Sequence, residues 1–338
     1  MRTGIIGGDK TIVYPDDISF CFNPMIIRVY ADSQVAFIVT DGAKKYIDVR
    51  SSYLGKVEID ISKYVQTMFN LKETESLLLS KEISVEVKTA EEQTFMFTTN
   101  VIWGVMNVGD VFNPPRKVVW FKKYPFTFSI YVASGTYLRK RFDSNKYQNF
   151  EVKNSGLVHI DPQDLFKEAV NFGVIRLDGN SFESSFEYTF DHTFRPIGNG
   201  VIIHRLEIDN SECGIYLRWI DRHGFYQYWL FQEGETVSNT EAGDSIPYAF
   251  SDEIYDYNGV SRYDVKSMQI IKKACAPLVE RDTFNMLLTL LSSPIVDMYL
   301  NGKWIPVNIS PGTIVEIVQD LRDFEIEIEL PKTISQRL

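Results

Sequence analysis

The clearest pattern in the chain is the alternation of apolar and polar residues that is typical of half-buried β-strands. It runs through "FEIEIEL" (324–330), where apolar side chains alternate with three glutamates, and through the segments that follow Pro24 and Pro125. A period of two places successive side chains on opposite faces of a sheet. Aromatic residues, which pack well on pleated surfaces, make up 14% of the sequence. These patterns predict a mainly β protein.

Part of this pattern occurs twice. "NPMIIRVYADS" (23–33) aligns with "YPFTFSIYVAS" (124–134), and "GKVEIDISKYVQTMF" (55–69) aligns with "GLVHIDPQDLFKEAV" (156–170), both at an offset of 101 residues. A constant register of this length favours a duplication, and internal repeats decide the architecture. The residues identical in the ungapped alignment are Pro24/Pro125, Tyr30/Tyr131, Ser33/Ser134, Lys45/Lys146, Tyr46/Tyr147, Gly55/Gly156, Val57/Val158, Ile59/Ile160 and Asp60/Asp161.

Each copy of the repeat predicts the same order of elements. An alternating strand follows the proline, and then come a polar hairpin region, a glycine and a short strand that leads into a helix. Asp161 followed by Pro162 is a typical helix start, because a carboxylate accepts free backbone N–H groups and proline lacks one; Asp60 to Ser62 offers the same in the first copy. We therefore expect tandem duplicated β-sandwich or barrel modules with short helices.

Three regions are expected along the 338 residues, a length that suggests two or three domains. The repeat places one β module at 10–112 and a second at 113–205. The prolines of "NPP" (113–115) mark the junction, since proline breaks strands and stiffens links. A β-rich C-terminal module with one helix is expected at 206–338.

Two local signals organise the C-terminal module. The segment after Asp282 predicts a helix over 282–292, with Asp282 as its N-cap and Pro294 beyond its end. Asn301-Gly302, between two apolar runs, predicts a hairpin with a type I′ turn, because both residues tolerate positive φ angles. The apolar face of the predicted helix consists of Phe284, Leu287, Leu288 and Leu291.

The stretch "CGIYLRWIDRHGFYQYWLFQEG" (213–234) predicts a β-hairpin with large side chains. Arg222, His223 and Gly224 fit a three-residue loop in which Gly224 takes the left-handed conformation of a G1 bulge, so that Asp221 pairs with Phe225. One face is expected in the core: Ile215, Leu217, Trp219, Gln227, Trp229 and Phe231. The other face is amphipathic: Tyr216, Arg218, Ile220, Tyr226, Tyr228 and Leu230.

The amphipathic face supplies the candidate interaction surface. Tyrosine and arginine are enriched in protein–protein interfaces. Two other interpretations of the hairpin stay open, namely carbohydrate contact through flat aromatic rings and a catalytic loop around His223. Because both tryptophans of the hairpin fall on the core face, the interface interpretation is favoured. The predicted interaction residues are Tyr216, Arg218, Tyr226, Tyr228 and Trp304.

Charge and targeting signals narrow the partner classes. A net charge of −10 argues against sequence-specific nucleic-acid binding, since the basic patches "RKVVWFKK" (116–123) and "YLRKRF" (137–142) are short and interrupted by apolar residues. No stretch approaches about 18 uninterrupted apolar residues, so no membrane insertion is expected, and the N-terminus lacks the apolar run of a secretory signal. The three cysteines are expected to be reduced and mostly buried, as in a protein made in the cytoplasm.

The search for catalytic and metal-binding motifs predicts a protein that is not an enzyme and has no cofactor or metal. The four histidines show no metal-ligand spacing, and no C-x-x-C or phosphate-binding loop occurs. "GDSI" (243–246) resembles an esterase serine motif but lacks the apolar strand before it and the D-x-x-H after it, so a polar loop is favoured. Carboxylate pairs such as those of "SDEIYD" (251–256) leave a glycoside hydrolase as a remaining alternative.

A family resemblance gives a more specific expectation. The hairpin above, "SSPIVDMYLNGKWIPVNI" (292–309) and "LRDFEIEIELPK" (321–332) together resemble virion structural proteins of tailed phages, of the distal-tail or baseplate type. The resemblance covers mainly 206–335 and implies no active site. It implies a ring-like homo-oligomer, or an adaptor, that contacts neighbouring tail proteins in the virion. The alternative function is a carbohydrate-binding module or adhesin.

Overall fold

Strands make up most of the regular structure. The computed structural model describes residues 1–71, 79–110, 117–132, 137–143, 146–151, 156–160, 186–191, 202–247, 261–310 and 321–337. Within these ranges the helices are α1 (Ser62–Gln66) and α2 (Arg281–Ser292). The predicted mainly β fold is confirmed.

The first module consists of two sheets around a shared apolar core. Four strands form the sheet β1-β2-β4-β7 and five form the sheet β3-β9-β8-β5-β6. Buried side chains such as Ile27, Phe37 and Val85 belong to one core cluster. The strands are β1 (Arg2–Ile6), β2 (Lys10–Tyr14), β3 (Ile18–Phe20), β4 (Ile26–Val29), β5 (Val35–Thr40), β6 (Lys45–Arg50), β7 (Val57–Asp60), β8 (Ser80–Thr89) and β9 (Thr94–Ile102).

The second module repeats the five-stranded sheet of the first. Its five-stranded sheet has the order β10-β16-β15-β12-β13, and in both modules the first pair is parallel while the other pairs are antiparallel. A β11-β14 pair corresponds to β4-β7. The duplication predicted from the sequence is confirmed. The strands are β10 (Lys117–Phe121), β11 (Phe128–Val132), β12 (Tyr137–Asp143), β13 (Lys146–Glu151), β14 (Gly156–Ile160), β15 (Phe186–Asp191) and β16 (Ile202–Asp209).

The strand registers carry the same repeat. Ile27 pairs with Ile59 in the first module, and adding 101 to both numbers gives Phe128 and Ile160, which are paired in the second. The β12–β13 register differs from β5–β6 by one residue, and β12 contains an irregularity between Arg141 and Asp143. The two copies therefore share the strand order but not every detail of the register.

The C-terminal module is built around an eight-stranded sheet. Its order is β23-β22-β17-β18-β21-β25-β24, with β26 also paired to β21, and α2 packs its apolar side chains into the same core. The strands are β17 (Ile215–Ile220), β18 (Tyr226–Ala242), β19 (Ser245–Pro247), β20 (Ser261–Tyr263), β21 (Val265–Glu280), β22 (Val296–Leu300), β23 (Lys303–Pro306), β24 (Asn308–Ile309), β25 (Leu321–Glu329) and β26 (Thr333–Arg337).

Several local predictions for this module are confirmed. Asn301 and Gly302 have φ angles of 51° and 82° and join β22 to β23, as a type I′ turn requires. In β25 the side chains of Phe324, Ile326 and Ile328 are buried while Glu325 and Glu327 are exposed, although β25 pairs with a strand on each side.

The helix starts differ in part from the prediction. α2 begins at Arg281, its N-cap is Glu280 without a side-chain capping bond, and Asp282 lies in the first turn. The prediction of Asp282 as the N-cap is therefore wrong, although a carboxylate near a helix N-terminus is still favourable. In the first module Asp60 does accept the backbone N–H of Ser62 at 3.0 Å. The corresponding Asp161 and Pro162 lie outside the described residues.

The chain divides into two compact units. The first contains 1–211 and 220–228, and the second contains 212–219 and 229–338. Both copies of the repeat belong to the first unit. The predicted boundary at 205 falls inside β16, and the division into three regions stays a prediction.

Candidate interaction surfaces

The loop between β17 and β18 has the predicted conformation. The backbone N–H of Gly224 donates to the Asp221 carbonyl at 3.0 Å, the N–H of Asp221 donates to the Phe225 carbonyl at 2.9 Å, and Gly224 has a φ of 80°. The Asp221 carboxylate accepts the N–H groups of His223 and Phe225 and the side-chain amide of Gln227 at 2.8 Å. Asp221 is thus the residue that fixes the loop.

The apolar face of the hairpin is buried, as predicted. Ile215, Leu217, Trp219 and Phe231 belong to the core of the second unit, and Trp229 packs against it. The Trp219 indole N–H donates to Thr289 Oγ1 at 2.8 Å. Gln227 is also buried, and its partner is the Asp221 carboxylate.

The opposite face of β17 is covered as well, which differs from the predicted exposed surface. Tyr216 and Arg218 are buried. The Tyr216 ring lies 5.7 Å from the ring of Trp304, and the Arg218 guanidinium lies 4.4 Å above that ring. Arg218 Nε donates to Asp297 Oδ2 at 2.9 Å. Because β17 lies between β18 and β22, aromatic side chains from β22 and β23 reach across it.

The residues of this face that lie in the first unit are only partly accessible. Tyr228 is buried, its ring is 4.9 Å from that of Phe126, and its hydroxyl is 2.8 Å from Thr127 Oγ1. Tyr226 is half-buried and its ring lies 6.1 Å from the ring of Tyr228. Of the five predicted interaction residues, Tyr226 and Trp304 are half-buried, and Tyr216, Arg218 and Tyr228 are buried.

His223 and its neighbours form a polar cluster in the first unit. Asp110 Oδ1 accepts a hydrogen bond from Arg222 Nη2 at 2.8 Å, and Asp110 Oδ2 lies 3.2 Å from His223 Nε2. The backbone N–H of Asn107 and, to a smaller extent, His223 and Arg222 lower the pKa of Asp110. The arrangement attaches the loop to the segment that follows β9.

The most extended exposed feature is a β-arm, defined as residues 232–242 of β18 with 266–275 of β21. All eleven β18 residues of the arm are exposed. The pairing of Asp221 with Phe225, continued along the hairpin, places Ile215 opposite Phe231. Ile215 is the first residue of β17, so β17 does not extend beside the arm. In the described part of the chain no strand pairs with the other edge of β18 beyond that point. Cross-strand ion pairs stabilise the arm: Glu233 with Lys272, Glu235 with Lys273, and Glu241 with Lys332 of the neighbouring chain segment.

The hairpin predicted from the sequence covers only 213–234, whereas β18 continues to Ala242 and pairs with β21 to Lys266. The polar run after Gln232 has no apolar alternation, which was the signal used for strands. Ser245 of "GDSI" lies on the short strand β19, not in the predicted loop; 251–256 lie outside the described residues.

No three His, Cys, Asp or Glu side chains in the described ranges converge into a group that could hold a metal ion. None of the helices in those ranges has the length and apolar character needed to cross a membrane.

Comparisons with solved structures give distant structural neighbours, among them two bacterial adhesins. No protein-family model and no curated protein matches the chain. One solved structure is of a 1.5-MDa bacterial ice-binding adhesin and concerns its retention on the host cell surface. It is 9% identical in sequence, the match covers 96% of this chain and 84% of that chain, and the TM-score is 0.15. Another, a Ca²⁺-stabilised adhesin with which an Antarctic bacterium binds ice, is 9% identical, with coverage of 94% and 65% and a TM-score of 0.15. Likeness at this level carries no argument about function.

Proposed function

We propose that the chain is a non-enzymatic structural protein that assembles with copies of itself and with neighbouring proteins, as a component of a phage tail or tail tip. The observation that carries the proposal is the β-arm. Its eleven β18 residues are exposed on both faces of the strand. At about 3.3 Å per residue they extend for about 36 Å.

The energetics of such an arm favour a binding role. A ribbon of few strands is marginally stable when neither face packs on a core. Strand edges that are not meant to pair are commonly protected by Lys, by Pro or by a covering loop. From Gln232 to Ala242 the arm has neither Lys nor Pro, and each of its three glutamates has a lysine partner. The edge thus keeps its backbone donors and acceptors available to a partner strand.

The assignment to a phage tail has two further supports. The chain repeats one five-stranded sheet topology in tandem, which suits a protein that builds an extended assembly. The segments 292–309 and 321–332 resemble distal-tail and baseplate proteins, whose role is assembly into a ring or adaptor. The virion as the location, and the absence of an enzymatic activity, belong to this proposal.

Light scattering coupled to size-exclusion chromatography tests the assembly, with two neighbouring proline variants to test the arm. Successive residues of a strand direct their N–H groups to opposite sides, so one of Ser238→Pro and Asn239→Pro removes a β21-facing N–H and the other removes an edge-facing one. Loss of a β21-facing N–H removes a hydrogen bond between strands and should lower stability. The variant that unfolds at the same urea concentration as the wild type is therefore the one that lost the edge-facing N–H. We expect the wild type to be oligomeric and that variant to lose self-association or binding to neighbouring tail proteins. A wild type that stays monomeric at high concentration and binds no tail protein contradicts the proposal.

The adhesin alternative rests on Trp304. One face of its ring is covered by the Arg218 guanidinium, and the side chain is half-buried. A half-covered ring still offers apolar area to a sugar face. Binding on a glycan array that Trp304→Ala abolishes would favour this alternative, and an array without binding would remove it.

A further inference from the structure

An unusual turn in the first module has two large apolar residues at its exposed end. The backbone N–H of Tyr53 donates to the Lys56 carbonyl at 2.9 Å and the N–H of Lys56 donates back at 3.1 Å. Leu54 and Gly55 have φ angles of 53° and 72°. Tyr53 is 76% exposed and Leu54 is 88% exposed. A leucine in the left-handed region is strained by about 1–2 kcal/mol, and here its side chain gains no burial in return.

The second copy of the repeat has ordinary turn residues at the same place. At the constant offset of 101, Tyr53-Leu54-Gly55 corresponds to Asn154-Ser155-Gly156. Asparagine and serine are typical of turns, and asparagine tolerates positive φ. Turn formation therefore does not account for tyrosine and leucine in the first copy. Exposed apolar groups that cost stability are a mark of binding surfaces.

A third exposed large apolar residue, Tyr30, lies at the same end of the module. Val29 pairs with Val57. Tyr30 follows Val29 and the turn precedes Val57, so both lie at the same end of the β4–β7 pair. Tyr30 is itself exposed. We call Tyr30, Tyr53 and Leu54 the apolar tip.

The opposite end of the same strand pair contains a pocket. Ile26 pairs with Asp60, and the Asp60 carboxylate accepts the N–H of Met25 at 3.0 Å. Beside them is a cavity of about 170 Å³. An apolar cavity of about 150 Å³ holds one benzene molecule, so the ring of Tyr53 or the side chain of Leu54 matches it in size. Buried Phe20 and Met25 contribute apolar area and exposed Asp16 lies at its rim. The lining includes Pro15, Asp16, Ser19, Phe20, Pro24 and Met25.

We propose that the apolar tip of one copy inserts into the pocket of a second copy of this chain. Tip and pocket lie at opposite ends of β4–β7, so one copy cannot fill its own pocket with its own tip. The contact is then head-to-tail, and a head-to-tail contact that repeats closes into a ring or extends as a filament. Asp16 is paired with the N-terminal amine and Lys56 with Glu58 within the chain, so the contact relies on burial of the exposed apolar side chains of the tip. The inference rests on the proposed self-assembly and adds the surfaces that make it.

Cysteine cross-linking distinguishes this contact from other ways of self-association. The full chain carries Cys213→Ser and Cys275→Ser, because Cys213 is exposed and Cys275 is half-buried, whereas Cys21 is buried. Leu54→Cys and Asp16→Cys are made separately and oxidised alone or as an equal mixture. We expect a covalent dimer in the mixture and little in either variant alone. Cross-linking of Leu54→Cys alone to the same extent would mean a tip-to-tip contact and overturn the proposal.

Light scattering on the wild type distinguishes a failure of the tip-to-pocket contact from a failure of the proposed assembly function. An oligomeric wild type whose mixture gives no cross-linked dimer overturns the tip-to-pocket contact and leaves the assembly function standing. A monomeric wild type that also fails to bind tail proteins overturns both.

A matched pair of asparagine variants tests the tip without new thiols. Leu278 is also a leucine at positive φ, 50°, and is 67% exposed, but it lies on β21 of the second unit. Leu54→Asn and Leu278→Asn both relieve the strain, so neither should lower the urea midpoint. We expect only Leu54→Asn to weaken self-association, by at least about tenfold, as expected of a central apolar contact. Equal effects of the two variants, or none, contradict the proposal.

Discussion

The buried ion pair of the second unit allows a quantitative test of what its residues do. Arg218 and Asp297 are joined at 2.9 Å with side chains 9% and 2% exposed, and the guanidinium also lies over Trp304. The sequence pattern assigned Arg218 to an interaction surface, whereas its contacts indicate a role in the stability of the unit. Removal of either partner leaves the other as a buried charge without its counter-charge.

The expected magnitudes follow from this burial. Breaking a buried pair by the loss of one partner costs about 3–5 kcal/mol, while replacement of both by apolar residues of similar size is often neutral or stabilising. We expect Arg218→Met and Asp297→Leu each to lower the free energy of unfolding of the second unit by about 3–5 kcal/mol, because each leaves the other charge buried without its counter-charge. The double variant Arg218→Met with Asp297→Leu should lie within about 1 kcal/mol of the wild type, or above it.

Urea unfolding followed by tryptophan fluorescence provides the assay, because Trp219, Trp229 and Trp304 all lie in the second unit. The double-mutant cycle then gives the coupling between the two residues. Single variants that cost less than about 1 kcal/mol, the range of exposed ion pairs, would refute the reasoning. So would a double variant whose loss equals the sum of the single losses.

The same pair predicts a dependence on pH. Burial, partly offset by Arg218, raises the pKa of Asp297 above its ordinary value of 3.8. A raised pKa means that the folded state holds its proton more tightly than the unfolded state does. The resulting stabilisation is complete below about pH 3.8 and is lost as the pH rises through the folded-state value. Asp297→Asn should remove this component from the curve of unfolding free energy against pH.

Three further predictions use single residues. Gly224→Ala should cost about 2–5 kcal/mol, since φ is +80° and the new Cβ would lie 2.8 Å from Ile102 Cγ2; urea unfolding of the full chain measures this. Gly302→Ala should cost only about 1–2 kcal/mol by the same assay, because φ is +82° but no atom lies within 4 Å of the new Cβ; equal losses would contradict the steric argument. Ellman's reagent should label exposed Cys213 at once and Cys21 only after unfolding, since burial raises the pKa of the Cys21 thiol to about 12; fast labelling of Cys21 in the folded chain would contradict its burial.

Local patterns predicted local structure well because the causes are local. The positive φ angles of Asn301 and Gly302 and the left-handed Gly224 follow from the residue types and the spacing of the flanking strands. The registers of β4–β7 and β11–β14 agree at the repeat offset of 101 residues. Asp282 failed as a cap because the helix begins one residue earlier than the apolar pattern suggests, and helix ends are set by backbone geometry that the pattern does not contain.

The interaction surface could not be predicted in the same way, because its burial depends on distant strands. The alternation of apolar and polar residues identifies which side chains share a face of β17, but it does not show whether one face or both become buried. Tyr216 and Arg218 are covered only because Trp304, nearly ninety residues further along the chain, reaches them from β23. A strand that is buried on both faces need not alternate between apolar and polar residues, and a polar arm such as 232–242 does not alternate either.

The duplication offers a way to separate structural from functional residues within one chain. Pro24/Pro125 and Gly55/Gly156 are identical and serve the strand pair that both copies share. Positions at which the sequences of the two copies differ are free to serve a partner. Tyr53-Leu54 aligns with Asn154-Ser155 in the sequence, and the first copy bears a strained and exposed leucine there. If self-association depends on this turn, it should survive when Asn154 and Ser155 are changed and fail when Tyr53 and Leu54 are. Equal dependence on both copies would mean that the fold, and not the tip, determines assembly.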